Sequence, residues 1–172
     1  DKDDVREAIK ETMNWSDVII LGPGLGTDEY AQYIVEKVLK NYDKTIILDA
    51  DGLNIVATDI SLLDETNAQI IITPHLLEMS RLTGIKVGEI KENKYDIARD
   101  FSKEHGVVVV LKDARTIVSN GEPQAYINIT GNNGMATGGS GDVLSGIIAG
   151  LVGQDVEPFE AAKVGVCMHG LA

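Results

Sequence analysis

A glycine-rich segment in the last third of the chain carries one acidic residue among its glycines. Residues 130–154 have the sequence TGNNGMATGGSGDVLSGIIAGLVGQ, in which Asp142 is the only acid before residue 146. The next apolar residues recur at the spacing of one helical face. They are Val143, Leu144, Ile147, Ile148, Leu151 and Val152. The segment predicts a glycine loop that enters the amino-terminal end of a buried helix, with a carboxylate at the junction.

Such a junction can bind an anion. The first N–H groups of a helix have no partner within it and lie at the positive end of its dipole, so a phosphate is a natural ligand. Gly138, Gly139 and Gly141 can bring successive N–H groups close to that phosphate, because glycine tolerates positive φ. Asp142 is then a general base for a hydroxyl beside the phosphate, or only a capping residue. The chain has no GxxxxGK[ST] sequence, so the loop is not a Walker A loop.

Composition limits the classes of function. The chain has 172 residues, of which 44% are hydrophobic, and a net charge of −12, which predicts one globular domain. The negative charge argues against binding to nucleic acid or to an anionic membrane surface. No apolar run approaches the length of a membrane span, and no signal peptide opens the sequence. A single cysteine, Cys167, excludes an internal disulfide, suits the reducing cytoplasm and is expected to be a buried structural thiol.

Strands alternate with helices along the sequence. Apolar runs predict buried strands at residues 18–21, 45–48, 68–72 and 107–111. Amphipathic stretches predict helices at residues 1–14, 76–83, 86–105 and 158–172. Another helix follows residue 26, with Thr27 as its cap and a buried face of Tyr30, Ile34, Val35, Val38 and Leu39. Gly146 and Gly150 lie one turn apart, which predicts that their helix packs closely on a neighbour.

This alternation predicts an α/β fold of three layers, with a mostly parallel sheet between helices. The Asn120-Gly121 pair is a hairpin signal and is expected to join residues 116–119 to residues 124–127. The strand at 107–111 is the most hydrophobic and should be central. In an open sheet of this kind, ligands bind along the carboxyl ends of the strands.

Candidate ligand-binding residues follow the first two predicted strands. The turn that contains Gly24 and Gly26 is either a tight strand-to-helix connection or a ligand contact, and its sequence GPGLGT does not match GxGxxG. Asp49 and Asp51 could hold Mg²⁺ directly or through water. Alternatively, they are solvated acids of an Asp-Gly turn.

The next two strand ends carry further polar residues. His75 and Glu78 lie at the start of the predicted helix after the third strand. A lone histidine there is more often structural than catalytic. Glu78 and Arg81, three residues apart, either pair with each other or flank one pocket. Lys112 follows the fourth strand and is a cation where a nucleotide phosphate could bind.

Four motifs occur in order along the chain. They are LGPGLG at residues 21–26, LDADGLN at 48–54, TPHLLEMSRL at 73–82 and GNNGMATGGSGDVLSGIIAGL at 131–151. Together they resemble the ADP-dependent NAD(P)H-hydrate dehydratases, a branch of the ribokinase-like superfamily. The GMATGG sequence resembles the ADP-using bacterial and archaeal branch more than the ATP-using eukaryotic one. The resemblance implies a ribokinase-like fold.

The resemblance also implies a reaction. The hydrated cofactors NADHX and NADPHX are phosphorylated by ADP on the ring hydroxyl, AMP leaves, and loss of phosphate restores NADH or NADPH. Asp142 is then the base that takes the hydroxyl proton, and Mg²⁺ bridges phosphate oxygens. Relatives often form tetramers, so a homotetramer is expected, and the expected location is the cytoplasm. The expected partners are the hydrate and ADP, with no nucleic acid or membrane, in keeping with the net charge.

The family's site residues map onto matching positions of this sequence. The implied substrate-binding residues are Gly24, Gly26, His75, Glu78, Arg81 and Asp142. The implied nucleotide-binding residues are Lys112, Asp113, Ala114, Arg115, Thr116, Gly138, Gly139 and Gly141. Asp49 or Asp51 is expected near the metal. Relatives have a segment closer to Lys-Gly-x-x-Thr after the fourth strand, and this chain has Asp113 where that glycine is common.

Two other hypotheses remain open. A ribokinase-like kinase for a sugar or vitamin precursor would use the same Asp142 and glycine loop, but with a pocket too small for a dinucleotide. A non-catalytic adenine-nucleotide-binding module would bind ADP without turnover. In every case we expect residues 1–172 to form a single ribokinase-like domain that lacks the amino-terminal strands and carboxyl-terminal tail of its relatives.

Overall fold

The computed structural model describes residues 2–135 and 137–172, without the side chains of residues 2–4 and 133. The helices described are α1 (Lys2–Trp15), α2 (Glu29–Asn41), α3 (Asp51–Val56), α4 (Leu76–Thr83), α5 (Val87–Glu92), α6 (Lys94–His105), α7 (Ser140–Val152) and α8 (Pro158–Leu171). The strands are β1 (Val18–Leu21), β2 (Thr45–Leu48), β3 (Gln69–Ile72), β4 (Val108–Leu111), β5 (Ile117–Ser119) and β6 (Tyr126–Ile127). Two short 3₁₀ helices cover Ile60–Leu63 and Asn133–Met135.

The six strands form one sheet in the order β1-β2-β3-β4-β5-β6. The first four strands are parallel, and their apolar residues align in register, with Ile46 opposite both Ile19 and Ile70. β5 runs antiparallel to β4 as well as to β6, so the sheet has two antiparallel pairings where one hairpin was predicted. The carboxyl ends of β1 to β4 therefore lie side by side along one edge.

Helices cover both faces of the sheet. Alternate residues of each strand point to opposite faces, as Ile46 and Ile47 do. Ile46 belongs to a core cluster shared with α2 to α6, against which α1 also packs. Ile47 belongs to a second cluster shared with α7 and α8. The predicted three-layer α/β fold is confirmed. Among the residues described, no helix combines the length and apolar character needed to cross a membrane.

The long helix predicted at residues 86–105 is wrong, because the structure has α5 and α6 separated at Asn93. Asn93 has φ −126° and ψ 31°, outside the helical region. Its side-chain amide donates to the carbonyl oxygen of Glu89 over 3.2 Å. Asparagine side chains compete for backbone groups in this way, which explains the break. Gly106, with φ 64°, ends α6 as predicted.

Two predictions about α2 are corrected. Its cap is Asp28, not Thr27, because the Asp28 carboxylate accepts from the N–H of Ala31 over 2.9 Å. Tyr30 was placed on the buried face but is 49% exposed, whereas Val35 and Leu39 are fully buried.

The buried face of α7 also differs from the prediction. Leu144 and Ile148 are buried as expected, but Val143 is 56% exposed. Gly146 and Gly150 are exposed and have open space where a side chain would lie. The close approach comes instead from Gly165 of α8, where a Cβ atom would lie 2.7 Å from the Ile148 side chain. α7 and α8 therefore pack closely through a glycine of α8.

Candidate active site

The loops after β1 and β2 meet through two glycines. A Cβ atom on Gly22, whose φ is +129°, would lie 1.9 Å from the carbonyl oxygen of Asp49. A Cβ atom on Gly52 would lie 2.5 Å from the carbonyl oxygen of Leu21. A larger residue at either position would push the two strand ends apart. The loops after β1 and β2 are therefore in direct backbone contact, which only glycine permits at these two positions.

The glycine turn after β1 is held by a carboxylate of the next loop. Gly24 and Gly26 are exposed, have positive φ of 66° and 77°, and face open space. The N–H of Gly26 donates to Oδ2 of Asp51 over 2.9 Å. Asp51 therefore orients the turn, and the two glycines leave room for a ligand to approach the backbone.

An ion pair joins the ends of β2 and β4. The Nζ atom of Lys112 lies 2.9 Å from Oδ1 of Asp49, and the N–H of Ala50 donates to the same oxygen over 2.9 Å. The other oxygen, Oδ2, accepts from the hydroxyl of Ser145 over 2.8 Å. Asp49 is buried, and a buried carboxylate is tolerated when it is paired with a cation and hydrogen-bonded. The Lys112 ammonium group and two further donors meet that condition.

His75 caps the helix that follows β3. Its Nδ1 atom accepts from the N–H groups of Leu77 and Glu78, each over 3.1 Å. Glu78 returns a bond by accepting from the N–H of His75 over 2.8 Å, which completes a capping box. The His75 side chain is still 50% exposed. The same imidazole can therefore cap α4 and contact a ligand.

Arg81 does not pair with Glu78 but bonds to the segment that follows β2. Its Nη1 atom donates to Oδ1 of Asn54 in α3 over 2.6 Å. Among the described contacts Glu78 bonds to His75, so the alternative in which Glu78 and Arg81 pair with each other is wrong. The backbone places His75 next to Lys112, which it faces in an isolated parallel bridge.

Asp142 is not the cap of α7. The cap position is Gly139, with φ 85° and no side-chain hydrogen bond to the helix, and Asp142 is the third residue of the first turn. Its side chain is exposed. Within the described residues the structure gives its carboxylate no hydrogen bond or ion pair. The capping interpretation is therefore wrong, and the carboxylate stands beside a helix end that no side chain caps.

Lys112 lies against this helix end. A Cβ atom on Gly141, the second residue of α7, would lie 3.3 Å from Nζ of Lys112 and 3.8 Å from Oδ2 of Asp49. The structure thus brings together two predicted nucleotide-binding residues, Lys112 and Gly141, from segments distant in sequence. An anion at the N–H groups of α7 would also meet the Lys112 ammonium group.

The turn after Lys112 is exposed and carries its own ion pair. Nζ of Lys94 lies 2.6 Å from Oδ2 of Asp113. Burial raises the pKa of Asp113, but hydrogen bonds from Lys94 and the N–H of Ala114, with the charges of Lys94 and Lys91, outweigh burial and lower it below the ordinary value. Asp113 does not have positive φ. Its replacement of a glycine therefore strains no backbone, and its charge is offset.

The described residues do not form a protein-held metal site. No group of three or more histidine, cysteine or acidic side chains among them could surround a metal ion. Both oxygens of the buried Asp49 accept from protein donors, whereas only Oδ2 of Asp51 accepts a bond, from the N–H of Gly26. Direct Mg²⁺ coordination is therefore disfavoured at Asp49, and among the described contacts Oδ1 of Asp51 has no partner.

Two features of the site were not predicted from the sequence. Ser145 is fully buried and bonds to Asp49, and its signal was a hydroxyl residue between the apolar residues Leu144 and Ile148. Ala50 has φ 48° and ψ −118°, a conformation rare outside glycine. That strain lies between the two acids of the second loop and has no signal in the residue type.

The fold and the site together define a ribokinase-like α/β protein. A ribokinase-like superfamily protein from Enterococcus faecalis is 29% identical, with a TM-score of 0.80 over 96% of this chain and 57% of that one. The hydroxyethylthiazole kinase of Pyrococcus horikoshii shares the fold at 18% identity, with a TM-score of 0.75 over 93% of this chain and 63% of that one. The chain belongs to the NAD(P)H-hydrate dehydratase family, whose family model matches residues 2–172.

Several proteins of this family are similar over nearly the whole chain. The bifunctional NAD(P)H-hydrate repair enzyme of Moorella thermoacetica is 42% identical over 98% of this chain and 32% of its own length. The ADP-dependent (S)-NAD(P)H-hydrate dehydratase of Neisseria meningitidis is 40% identical over 89% of this chain and 53% of its own length. The chain thus spans about a third to a half of these relatives. The resemblance stated from the motifs is confirmed.

A crystal structure gives the same relationship. The ADP/ATP-dependent NAD(P)H-hydrate dehydratase from Bacillus subtilis, co-crystallised with ATP and Mg²⁺, is 29% identical to this chain. The TM-score is 0.78, over 94% of this chain and 58% of that one.

Proposed function

We propose that this chain carries an ADP-dependent (S)-NAD(P)H-hydrate dehydratase activity, which returns NADHX and NADPHX to NADH and NADPH. One observation carries the proposal: the exposed carboxylate of Asp142 lies in the first turn of α7, whose glycine cap leaves the helix end open beside Lys112. In this proposal Asp142 is the proton acceptor, and the adjacent helix end is the anion site. The family match and the named activities of the relatives from Neisseria and Bacillus support the same reaction.

The chemistry assigned to these groups is a phosphoryl transfer followed by an elimination. Asp142 accepts the proton of the ring hydroxyl while the hydroxyl oxygen bonds to the β-phosphorus of ADP. The bond between that phosphorus and the oxygen bridging to the α-phosphate breaks, and AMP leaves. The N–H groups at Gly139 and Gly141 stabilise the charge on the transferring group. The ring C–O bond then breaks, and its electron pair leaves with the phosphate. The neighbouring carbon loses a proton, and the electrons of that C–H bond restore the ring double bond.

The attraction for ADP is local. The chain has a net charge of −12, so its long-range field repels a nucleotide. The end of α7 and the Lys112 ammonium group supply positive potential within a few ångströms of each other. The turn that contains Asp113, Ala114, Arg115 and Thr116 is proposed to line the nucleotide, since the Lys94 pair offsets the Asp113 charge.

The hydrate is proposed to bind on the other side of Lys112. Gly24 and Gly26 offer exposed backbone, and His75, whose imidazole is half-exposed, is joined to Lys112 by a backbone bridge at the sheet edge. Glu78 and Arg81 support this wall through their bonds to His75 and Asn54. The hydrate is thus assigned to the loops after β1 and β3, and ADP to the end of α7 and the turn after β4.

Mg²⁺ is proposed to accompany ADP, held by phosphate oxygens and water. The burial of Asp49 and the protein donors on both of its oxygens support this arrangement, as does the co-crystallisation of the Bacillus relative with ATP and Mg²⁺. Cytoplasmic location and a homotetrameric state stay predictions.

The direct test is recovery of reduced nicotinamide absorbance from prepared NADHX or NADPHX. The protein is assayed with Mg²⁺ and ADP, ATP or no nucleotide. We expect recovery with ADP and stoichiometric formation of AMP and phosphate. Accumulation of a stable phosphorylated product would indicate a kinase, and ADP binding without turnover would indicate a binding module. Either result would overturn the proposal.

A further inference from the structure

The buried carboxylate of Asp49 connects three segments of the site. Asp49 follows β2, Lys112 follows β4, and Ser145 lies in the second turn of α7. Asp49 is 2% exposed and Ser145 is fully buried. Oδ1 of Asp49 faces Lys112 Nζ over 2.9 Å, and Oδ2 accepts from the Ser145 hydroxyl over 2.8 Å. A single side chain therefore sets the position of both a cation and a helix.

The two partners of Asp49 flank the proposed phosphate position. Ser145 is four residues after Gly141, so it lies on the same face of α7, one turn further from the helix end. A Cβ atom on Gly141 would lie 3.3 Å from Lys112 Nζ. The distance between the ammonium group and the first N–H groups of α7 therefore depends on how Asp49 holds Lys112 on one side and Ser145 on the other.

We propose that Asp49 and Ser145 are positioning residues of the nucleotide site, and that neither coordinates a metal. The proposal rests on the proposed function, because it names what sets the geometry of that ADP site. Asp49 holds the Lys112 ammonium group beside Gly141 through their ion pair. Ser145 donates to the second carboxylate oxygen and thereby fixes the position of the first turns of α7 relative to Lys112.

The hydrogen-bond pattern favours this role over direct metal coordination. A carboxylate has about four acceptor positions, and three of those on Asp49 are used by Lys112, Ser145 and the N–H of Ala50. Asp49 is also only 2% exposed, so a hydrated ion could reach the remaining position on Oδ2 only by displacing the groups packed around it, which is costly in a low-dielectric interior. Asp49 therefore acts on the nucleotide through Lys112 and α7.

The test measures the Kd of ADP by titration calorimetry, with Mg²⁺ and again with a chelator. The variants are Ser145→Ala and Asp49→Asn, with Ile148→Val as the matched control, because Ile148 is a buried residue of α7 outside the Asp49 network. We expect Ser145→Ala to weaken ADP binding about tenfold, the usual size for a hydrogen bond to a charged group. The same loss is expected with and without Mg²⁺. Ile148→Val should lower the melting temperature and leave the Kd unchanged.

A double variant tests whether Ser145 acts through Lys112. In a Lys112→Met background, Ser145→Ala should weaken ADP binding by less than about twofold, because the positioned cation is gone. An additive effect would overturn the proposal. So would a loss confined to the Mg²⁺ titration, which would make Asp49 a metal ligand, or an unchanged Kd with a lower melting temperature, which would make Ser145 a core residue only. Because these titrations need no turnover, they stay decisive if NADHX recovery fails.

Discussion

The N–H of Gly26 donates a hydrogen bond to Oδ2 of Asp51 over 2.9 Å. This bond joins the exposed glycine turn after β1 to the first residue of α3 after β2. A positive-φ turn without such a partner would sample many conformations, since glycine is the least restricted residue. The carboxylate therefore has a structural role in a loop where the sequence left open either a metal ligand or a solvated acid of an Asp-Gly turn.

We expect Asp51→Ala to raise the KM for NADHX about fivefold, because loss of one hydrogen bond to a charged group frees the Gly26 turn. The free energy of unfolding should fall by about 1 kcal/mol, measured by urea denaturation. Asp51→Asn is the control, since it keeps an acceptor oxygen at the same place and should retain most of the affinity. An equal loss in both variants would indicate that the negative charge itself is needed.

His75 has a capping role that can be separated from substrate contact. Asparagine is as good a helix cap as any residue, so His75→Asn should preserve the stability of α4, whereas His75→Ala should cost about 1 kcal/mol. If the exposed imidazole also binds the hydrate, both variants should raise the KM for NADHX to a similar degree. Thermal denaturation and steady-state kinetics measure the two effects. An unchanged KM in His75→Asn would leave His75 as a cap only.

Asp142→Asn should abolish NADH recovery while the protein stays folded and binds ADP. A positioned general base contributes roughly 10²- to 10⁴-fold, so kcat should fall within that range. The Asp142 side chain is exposed, and stability should therefore be nearly unchanged. Glu160→Gln, which removes a surface acid paired with Lys163 on α8, is the matched control and should keep full activity. A kcat for Asp142→Asn close to that of the wild type would assign the proton transfer to another group.

Two glycines on neighbouring helices should respond in opposite directions to alanine. Gly165→Ala places a Cβ atom 2.7 Å from the Ile148 side chain, and such overpacking should cost about 1–3 kcal/mol. Gly150→Ala meets open space on an exposed helix face, so it should stabilise the protein by roughly 0.5–1 kcal/mol. Urea denaturation of both variants tests this. Equal effects would contradict the close α7–α8 packing.

The Lys94–Asp113 pair should stabilise the fold in a pH-dependent way. Since the pKa of folded Asp113 lies below its ordinary value of 3.8, its contribution is present above 3.8 and is lost as the pH falls through the folded value. Asp113→Asn should therefore lower the free energy of unfolding by about 0.5–1 kcal/mol near neutral pH. The difference between the two proteins should shrink below pH 3.8. A pH-independent difference would assign the effect to packing.

The strands and the edge that carries the site could be predicted from the sequence because their signals are local. The apolar runs of β1 and β2 match their predicted bounds, and the ends of β3 and β4 match as well. Each run is followed by the residues that form the site. A parallel strand buried on both faces needs only a short apolar segment, so pattern and structure agree.

What could not be predicted depends on contacts between distant segments. The burial of Ser145 follows from Asp49, which is 96 residues away in the chain. The small residue that allows α7 and α8 to approach was placed on the wrong helix, because glycine spacing does not reveal which helix face meets a neighbour. The break at Asn93 came from one side chain bonding to the preceding turn, which helical periodicity over residues 86–105 did not show.

The position of α7 has a consequence for the order in which the molecule is built. α7 packs against β1 and β2, although its residues follow every strand of the sheet in the chain. During synthesis each strand can pair with the one made just before it. The open helix end, however, meets Lys112 and Asp49 only after β2 and β4 are in place. A nascent chain that ends before residue 140 therefore holds every strand of the sheet but not α7, so the proposed phosphate-binding end and its base are added only after the sheet.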